Sequence, residues 1–235
     1  MLLISALSFS LAGHAAINVD RTRIIMNSGQ KSLSVILTNE NSRLPFLAQS
    51  FIEDSKGKRT DMLIALPPLQ RIDAGKKSQV RIIQSPGGRT NTLPQDRESL
   101  FWFNVREIPP TPSTDVNVLQ MAVQSQLKLF WRPDTIKKSN NETPETLLEV
   151  IGHNGFATLK NPTPYYITVA WLGTDRKSPI KGFIEPVMVA PFSSAPLKAV
   201  FPSGLRSLLV GYINDYGGLK INTYNCTALV CSIHR

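Results

Sequence analysis

Short apolar and β-branched runs, each followed by turn-forming residues, recur along the whole chain. Such runs predict strands, and the 3.6-residue spacing of an amphipathic helix is almost absent. Turn clusters such as Asn39-Glu40-Asn41-Ser42 and Ser85-Pro86-Gly87-Gly88 separate them. Many short strands punctuated in this way favour an all-β sandwich. We expect strands at residues 32–38, 48–52, 79–83, 100–105, 156–159, 166–172, 183–189, 207–214 and 221–226.

The longest strand predicted by this pattern runs over residues 116–131. Apolar side chains at Leu119, Met121, Val123 and Leu127 alternate with a polar row that includes Gln124. This period of two is typical of a strand with one apolar face. Because strands usually have five or six residues, we expect this one to extend beyond an ordinary sheet. From the alternation alone, the apolar row would more often face the protein's own core.

Pro133 and a polar stretch from Lys137 to Pro144 interrupt the strand pattern, which resumes afterwards. The chain has 235 residues, enough for two domains of ordinary size. We therefore predict an N-terminal domain at residues 16–135, containing strand 116–131, and a C-terminal domain at 136–235.

Residues 1–15 have the features of a cleaved secretory signal peptide. Their apolar stretch is too short to span a bilayer, and Gly13 and Ala15 are the small residues that a cleavage site requires. No later segment approaches about 18 uninterrupted apolar residues, so we expect no stable membrane insertion. Export predicts a compartment outside the cytoplasm.

Two cysteines, Cys226 and Cys231, lie near the C-terminus. In an exported protein such a pair predicts a disulfide bond, because the compartment oxidises thiols. A metal site is a poor alternative, because no histidine or carboxylate nearby completes a tetrahedral shell. We expect neither a metal nor a cofactor.

The formal net charge of +9 fits nucleic acid, an anionic membrane surface or an acidic protein as a partner, and it selects none of them. A nucleic-acid site is disfavoured by export and by the lack of a basic stripe interleaved with aromatic residues. The predicted mature chain has only His153 and His234, and no Gly-x-Ser-x-Gly, His-Glu-x-x-His or P-loop motif occurs. We therefore predict no catalytic residues and no enzymatic activity.

Six motifs, in order from about residue 16 to the C-terminal cysteines, resemble those of the PapD family of periplasmic pilus chaperones. They are Asp20-Arg21-Thr22-Arg23, residues 93–101, residues 104–110, Lys128-Leu129-Phe130-Trp131-Arg132-Pro133, residues 161–166 and residues 212–218.

The resemblance implies two immunoglobulin-like β-sandwiches at an angle to each other, located in the periplasm. It implies a chaperone that binds a pilus subunit in a 1:1 complex and lends it a missing strand, a form of β-augmentation. An outer-membrane usher, which receives the subunit, is implied as a second partner, and so is a self-capping dimer of the free chaperone.

The resemblance also assigns residue roles. Leu119, Met121 and Val123 are implied to be the side chains inserted into the subunit. Arg23 and Lys128 are implied to anchor the subunit's C-terminal carboxylate. Glu98, Arg132 and Asp215 are implied to form an ionic cluster between the domains.

Two alternatives in the same architectural class remain. The chain could be an exported immunoglobulin-like binding module, or a pilin-type subunit without chaperone activity. A subunit should carry an N-terminal donor extension and one incomplete domain, whereas this sequence fits two complete domains.

Overall fold

The computed structural model describes residues 16–111, 121–139 and 142–233. The predicted signal peptide and Leu119 lie outside these ranges. Among the described residues, no helix is long and apolar enough to cross a membrane.

The N-terminal domain consists of two sheets packed face to face. A four-stranded sheet has the order β1-β3-β7-β5, and a five-stranded sheet has the order β2-β9-β8-β4-β6. The strands are β1 (Ile17–Val19), β2 (Arg23–Asn27), β3 (Ser32–Asn39), β4 (Phe46–Asp54), β5 (Leu63–Leu66), β6 (Leu69–Ile72), β7 (Lys77–Gln84), β8 (Ser99–Ile108) and β9 (Gln124–Arg132).

The core of this domain lies between the two sheets. Val35 and Val80 enter it from one sheet, and Phe103 and Leu129 enter it from the other. Alternate residues of each strand point to opposite faces, which explains why β8 and β9 each carry one apolar row and one more polar row.

The C-terminal domain wraps a sheet around a second core. The sheet order is β13-β12-β15-β16-β17-β10-β11-β14, with β13 and β14 at its two ends. The strands are β10 (Glu149–His153), β11 (Phe156–Asn161), β12 (Ile167–Gly173), β13 (Val187–Val189), β14 (Ser193–Val200), β15 (Ser207–Ile213), β16 (Leu219–Thr227) and β17 (Val230–Ser232).

Short 3₁₀ helices lie at Thr90–Thr92, Asp134–Ile136 and Pro144–Leu147. The last two flank the polar stretch that connects β9 to β10. Residues 140 and 141 of this stretch lie outside the described ranges.

The all-β class and the two-sandwich architecture predicted from the sequence are confirmed. Two strand predictions need correction. The strand expected over 116–131 begins, within the described residues, only at Gln124 and ends at Arg132, and residues 121–123 are not part of it. The strand expected over 183–189 is limited to Val187–Val189, because the chain makes a turn at the left-handed Gly182 and reaches the sheet late.

Candidate functional site

The segment that precedes β9 exposes two apolar side chains. Met121 is 74% exposed and Val123 is 43% exposed. Further along the same row of odd-numbered residues, Leu127 and Leu129 are buried in the domain. The apolar row therefore passes from the core of the N-terminal domain to its surface. Leu119, the third predicted donor residue, lies outside the described part of the chain.

Backbone contacts hold the root of this segment in place. Glu107 N donates to Val123 O over 2.9 Å, just beyond the antiparallel β8–β9 pairing. This bond extends the ladder by one residue toward Met121. Val123 is thus held at the backbone while its side chain remains exposed.

A polar network on the outer face of the sheet ties β9 to its neighbours. Asn104 in β8 is fully buried, and its Oδ1 accepts hydrogen bonds from Gln124 Nε2 (2.9 Å) and Gln126 Nε2 (3.0 Å). Its Nδ2 donates to Glu53 Oε2 (3.0 Å) and to Trp102 O (3.3 Å). Every hydrogen-bonding position of the Asn104 amide is therefore used. Gln124 belongs to the polar row predicted from the sequence, whereas Asn104 was not a predicted site residue, because sequence does not reveal that an Asn in a strand is buried.

Arg23 and Lys128, the predicted carboxylate anchor, lie side by side. They are paired in the parallel register of β2 and β9, and each points toward the C-terminal domain. Arg23 Nη1 donates to Ile213 O (3.1 Å), and Lys128 Nζ donates to Thr168 Oγ1 (3.3 Å). Arg23 is only 9% exposed, and its buried Nε has no hydrogen-bond partner.

The electrostatics of this pair favour an anion. Burial lowers the pKa of Lys128, and the charge of Arg23 lowers it further. Burial also lowers the pKa of Arg23, although Asp215, Glu145 and Glu98 partly offset this effect at longer range. Two cations held close together and away from water can each form a charge-assisted hydrogen bond with a carboxylate.

Arg23 also lines an open cleft between the domains with a volume of about 690 Å³. The remaining walls come from β2, from the segment after β9 and from the β15–β16 turn. The charged residues of the lining are Asp20, Arg21, Arg23, Arg132, Lys137, Lys138, Glu142, Glu145, Asp215 and Lys220.

The predicted ionic cluster is assembled at the domain boundary. Arg132 Nε donates to Glu98 Oε1 (2.8 Å), and Arg132 Nη1 donates to Asp215 Oδ2 (2.8 Å). The other oxygen of Glu98, Oε2, accepts from Tyr166 N (2.7 Å) in the C-terminal domain. The cluster therefore links both domains through buried, hydrogen-bonded charges.

Two further residues that the sequence analysis did not predict extend this cluster. Lys138 Nζ donates to Glu145 Oε1 (2.6 Å) and to Asp215 Oδ1 (3.2 Å). Glu145 is buried, and Lys138 also lies over the Tyr165 ring at 4.6 Å from its centroid. Charges of alternating sign thus join both domains and the connecting segment, in the order Glu98, Arg132, Asp215, Lys138 and Glu145.

The pKa directions agree with this arrangement. Burial opposes the charged form of Arg132, but hydrogen bonds and the charges of Asp215 and Glu98 raise its pKa. Burial likewise opposes ionisation of Asp215, yet Arg132 and Lys138 together lower its pKa. Burial raises the pKa of Glu98 despite its contact with Arg132.

Cys226 and Cys231 form a disulfide bond between β16 and β17. Within the described residues, no group of three or more His, Cys, Asp or Glu side chains is placed to hold a metal ion.

Comparison with known proteins identifies the family. Residues 16–137 match the family described as "Pili and flagellar-assembly chaperone, PapD N-terminal domain", and residues 145–224 match "Pili assembly chaperone PapD, C-terminal domain". The chain is 46% identical to the uncharacterized fimbrial chaperone YbgP of Escherichia coli K12, over 94% of this chain and 91% of that protein. It is 41% identical to the chaperone protein PapD of Escherichia coli, with the same coverage of both chains.

A solved structure of the Salmonella enterica SafA pilin in complex with the SafB chaperone has a similar fold. Its TM-score is 0.74 at 27% identity, over 91% of this chain and 98% of that chain. The architecture, the matches to both domain families and the identity to named fimbrial chaperones lead to one conclusion: this chain belongs to the PapD-like pilus assembly chaperone family.

Proposed function

We propose that this protein is a periplasmic chaperone that binds and stabilises pilus subunits by lending them a strand. The observation that carries the proposal is the apolar row that leaves the domain core through Leu127 and becomes exposed at Val123 and Met121. Isolated apolar side chains are common on surfaces. Here the exposed apolar row lies on a segment whose backbone is hydrogen-bonded to β8 at Val123, so the row is placed to complete another sheet.

The lent strand is proposed to extend through Leu119. A subunit that lacks a strand exposes unpaired backbone groups and an open core, both of which are costly in water. Leu119, Met121 and Val123 would fill that core, each contributing about 1.5 to 3 kcal/mol before the cost of ordering the chains.

Arg23 and Lys128 are proposed to bind the subunit's C-terminal carboxylate. Their positions on paired strands fix the end of the subunit chain relative to β9. Because side chains alternate along a strand, fixing one end determines which chaperone side chain meets which subunit pocket.

The cell compartment and partners follow from this mechanism. We propose that residues 1–15 are removed during export, so that the mature chain acts in the periplasm. The complex would contain one chaperone and one subunit, and an outer-membrane usher would receive the subunit. The free chaperone would cap its apolar row by forming a dimer. No covalent chemistry, cofactor or metal is required.

Periplasmic co-purification tests the proposal. Tagged chaperone is expressed with candidate pilus subunits, and the wild type is compared with Arg23→Ala and Lys128→Ala. We expect a 1:1 complex for the wild type and a subunit affinity about 10- to 150-fold weaker for each variant, because each removes one charge-assisted bond of about 1.5 to 3 kcal/mol from a site with little water.

Lys77→Ala serves as the matched control, because it removes an exposed cation from β7, in the other sheet. It should leave the complex intact. Circular dichroism and thermal unfolding must show that all three variants are folded. A complex that survives both anchor substitutions would refute the anchor. If no subunit binds even the wild type, the stand-alone binding module replaces the chaperone.

A further inference from the structure

One buried carboxylate in the N-terminal domain has no role in the proposed site. Glu107 lies on the inward row of β8, after Phe103 and Val105, and is only 6% exposed. Its Oε2 accepts a hydrogen bond from the backbone N–H of Ile17 over 2.8 Å. No Lys, Arg or His nitrogen within the described ranges comes within 4.0 Å of its carboxylate oxygens. Such burial is unusual for a carboxylate that lacks a cationic partner.

The missing cation can come from the chain itself. We infer that Glu107 is the binding site for the α-ammonium group that signal-peptide removal creates on Ala16. The inference depends on cleavage before Ala16, as proposed above. Hydrolysis of the Ala15–Ala16 bond by a signal peptidase, with water as co-reactant, leaves a carboxylate on Ala15 and an amine on Ala16. With a usual pKa of about 7.7 to 8.0, that amine is mostly protonated at neutral pH.

The local geometry brings the two groups together. The peptide between Ala16 and Ile17 is held at both ends, because Ala16 O accepts from Glu40 N (2.7 Å) and Ile17 N donates to Glu107. The α-nitrogen of Ala16 is three bonds from the nitrogen of Ile17, and standard bond lengths keep these two atoms within about 3.7 Å. Only rotation about the Cα–C bond of Ala16 is then needed to bring the new ammonium group toward the carboxylate.

Processing would therefore do more than release the chain from the membrane. It would complete a buried ion pair that fixes β1 against β8, one strand away from the root of the lent segment. A chain that retains extra residues before Ala16 presents an amide at this position, and an amide carries no charge to balance Glu107.

A double-mutant cycle tests the inference. One protein is exported and processed to begin at Ala16, as verified by intact mass. A second carries Gly-Ser between the cleavage site and Ala16, which displaces the amine. Both are made with Glu107 and with Glu107→Gln. We expect the extension to lower the melting temperature by about 3 to 8 °C when Glu107 is present and by less than about 1 °C in Glu107→Gln.

Glu40→Gln is the matched control, because Glu40 is an exposed acidic residue that contacts the same peptide through its backbone. The effect of the extension should persist in this variant. Equal effects of the extension with Glu107 and with Glu107→Gln, or a mature chain that begins elsewhere, would overturn the inference.

A second measurement needs no substitution at Glu107. In the native mature protein, the α-amine should react with an acylating reagent at least about tenfold more slowly than in urea, because the ion pair keeps it protonated. Equal rates would also refute the pairing. Subunit capture by the protein that begins at Ala16 is measured in parallel, so a failure of this inference is distinguished from a failure of the chaperone function.

Discussion

Two buried guanidinium groups lie at the domain boundary, on the neighbouring strands β2 and β9, and their surroundings differ. Arg132 is surrounded by carboxylates, with Glu98 and Asp215 both within 2.8 Å. Arg23 has no carboxylate within 4.0 Å among the described residues, and its Nη1 donates instead to the backbone oxygen of Ile213. The pKa of Arg132 is raised by its carboxylate partners, whereas burial lowers that of Arg23.

The contrast separates two kinds of buried charge at the domain boundary. A charge matched within the protein orients the domains and has little to gain from a ligand. A buried charge without a carboxylate partner destabilises the free protein, and binding of an anion removes this destabilisation. On the proposal above, the cluster of Glu98, Arg132 and Asp215 (the saturated cluster) joins the two domains, and Arg23 with Lys128 (the unsaturated pair) is the site that binds an anion.

Removing Arg132 should therefore destabilise the protein much more than removing Arg23. Arg132→Ala leaves Glu98 buried without its counter-ion, so we expect a loss of about 3 to 5 kcal/mol in the free energy of unfolding. Arg23→Ala removes a charge that lacks a carboxylate partner, so its cost should stay below about 1 kcal/mol. Urea unfolding followed by circular dichroism measures both. Similar losses in the two variants would contradict the distinction between the sites.

The next largest effect should appear in binding. A synthetic peptide corresponding to the C-terminal segment of a captured subunit is compared with the same peptide ending in an amide. We expect the amide to bind about 10- to 150-fold more weakly, which corresponds to one lost charge-assisted interaction of about 1.5 to 3 kcal/mol. Isothermal titration calorimetry gives both affinities.

The peptide experiment contains its own control. In the double variant Arg23→Ala/Lys128→Ala the free acid and the amide should bind with nearly equal affinity, because both groups that distinguish them are gone. In a variant at the saturated cluster, Lys138→Met, the preference for the free acid should remain.

Much of this contrast was accessible from the sequence, but only through family motifs. Residues Glu98, Arg132 and Asp215 were assigned to one cluster before their contacts were known, and the structure brings them together. Alternation alone favoured an apolar row that faces the protein's own core, whereas Met121 and Val123 are exposed. Period-two patterns indicate that a strand has two faces, and they do not say what covers each face.

Other features depend on contacts distant in sequence. Lys138 and Glu145 lie in a polar connecting stretch that looks solvent-exposed, yet they meet Asp215 at the domain boundary. Asn104 is an ordinary strand residue until its three hydrogen bonds to two other strands, β4 and β9, are seen. Neither burial nor such partners can be deduced from local composition.

The extension of the ionic cluster gives a smaller stability prediction. Lys138→Met should lower the free energy of unfolding by about 1 to 3 kcal/mol, because it leaves the buried Glu145 without its cation. In a double-mutant cycle, Glu145→Gln should remove most of this cost, since no charge remains to be balanced. Additive losses in the cycle would show that Lys138 stabilises the boundary through Asp215 or Tyr165 instead.

The smallest effect should be a pH dependence of binding that belongs to the unsaturated pair. Burial and Arg23 hold the pKa of free Lys128 below its usual value of 10.5. A bound carboxylate stabilises the charged ammonium and raises that pKa again. As the pH rises, the free protein loses this proton before the complex does, so binding becomes coupled to proton uptake and weakens. We expect peptide affinity to be constant below the pKa of free Lys128 and to fall by up to about tenfold for each pH unit between that pKa and the raised pKa of Lys128 in the complex. In Lys128→Arg the affinity should stay flat over this range, because a guanidinium remains protonated.

Calorimetric titrations in buffers of different ionisation enthalpy measure the proton uptake directly. An equal alkaline loss in Lys128→Arg would assign the titration to another group and leave the anchor without its proposed electrostatic origin.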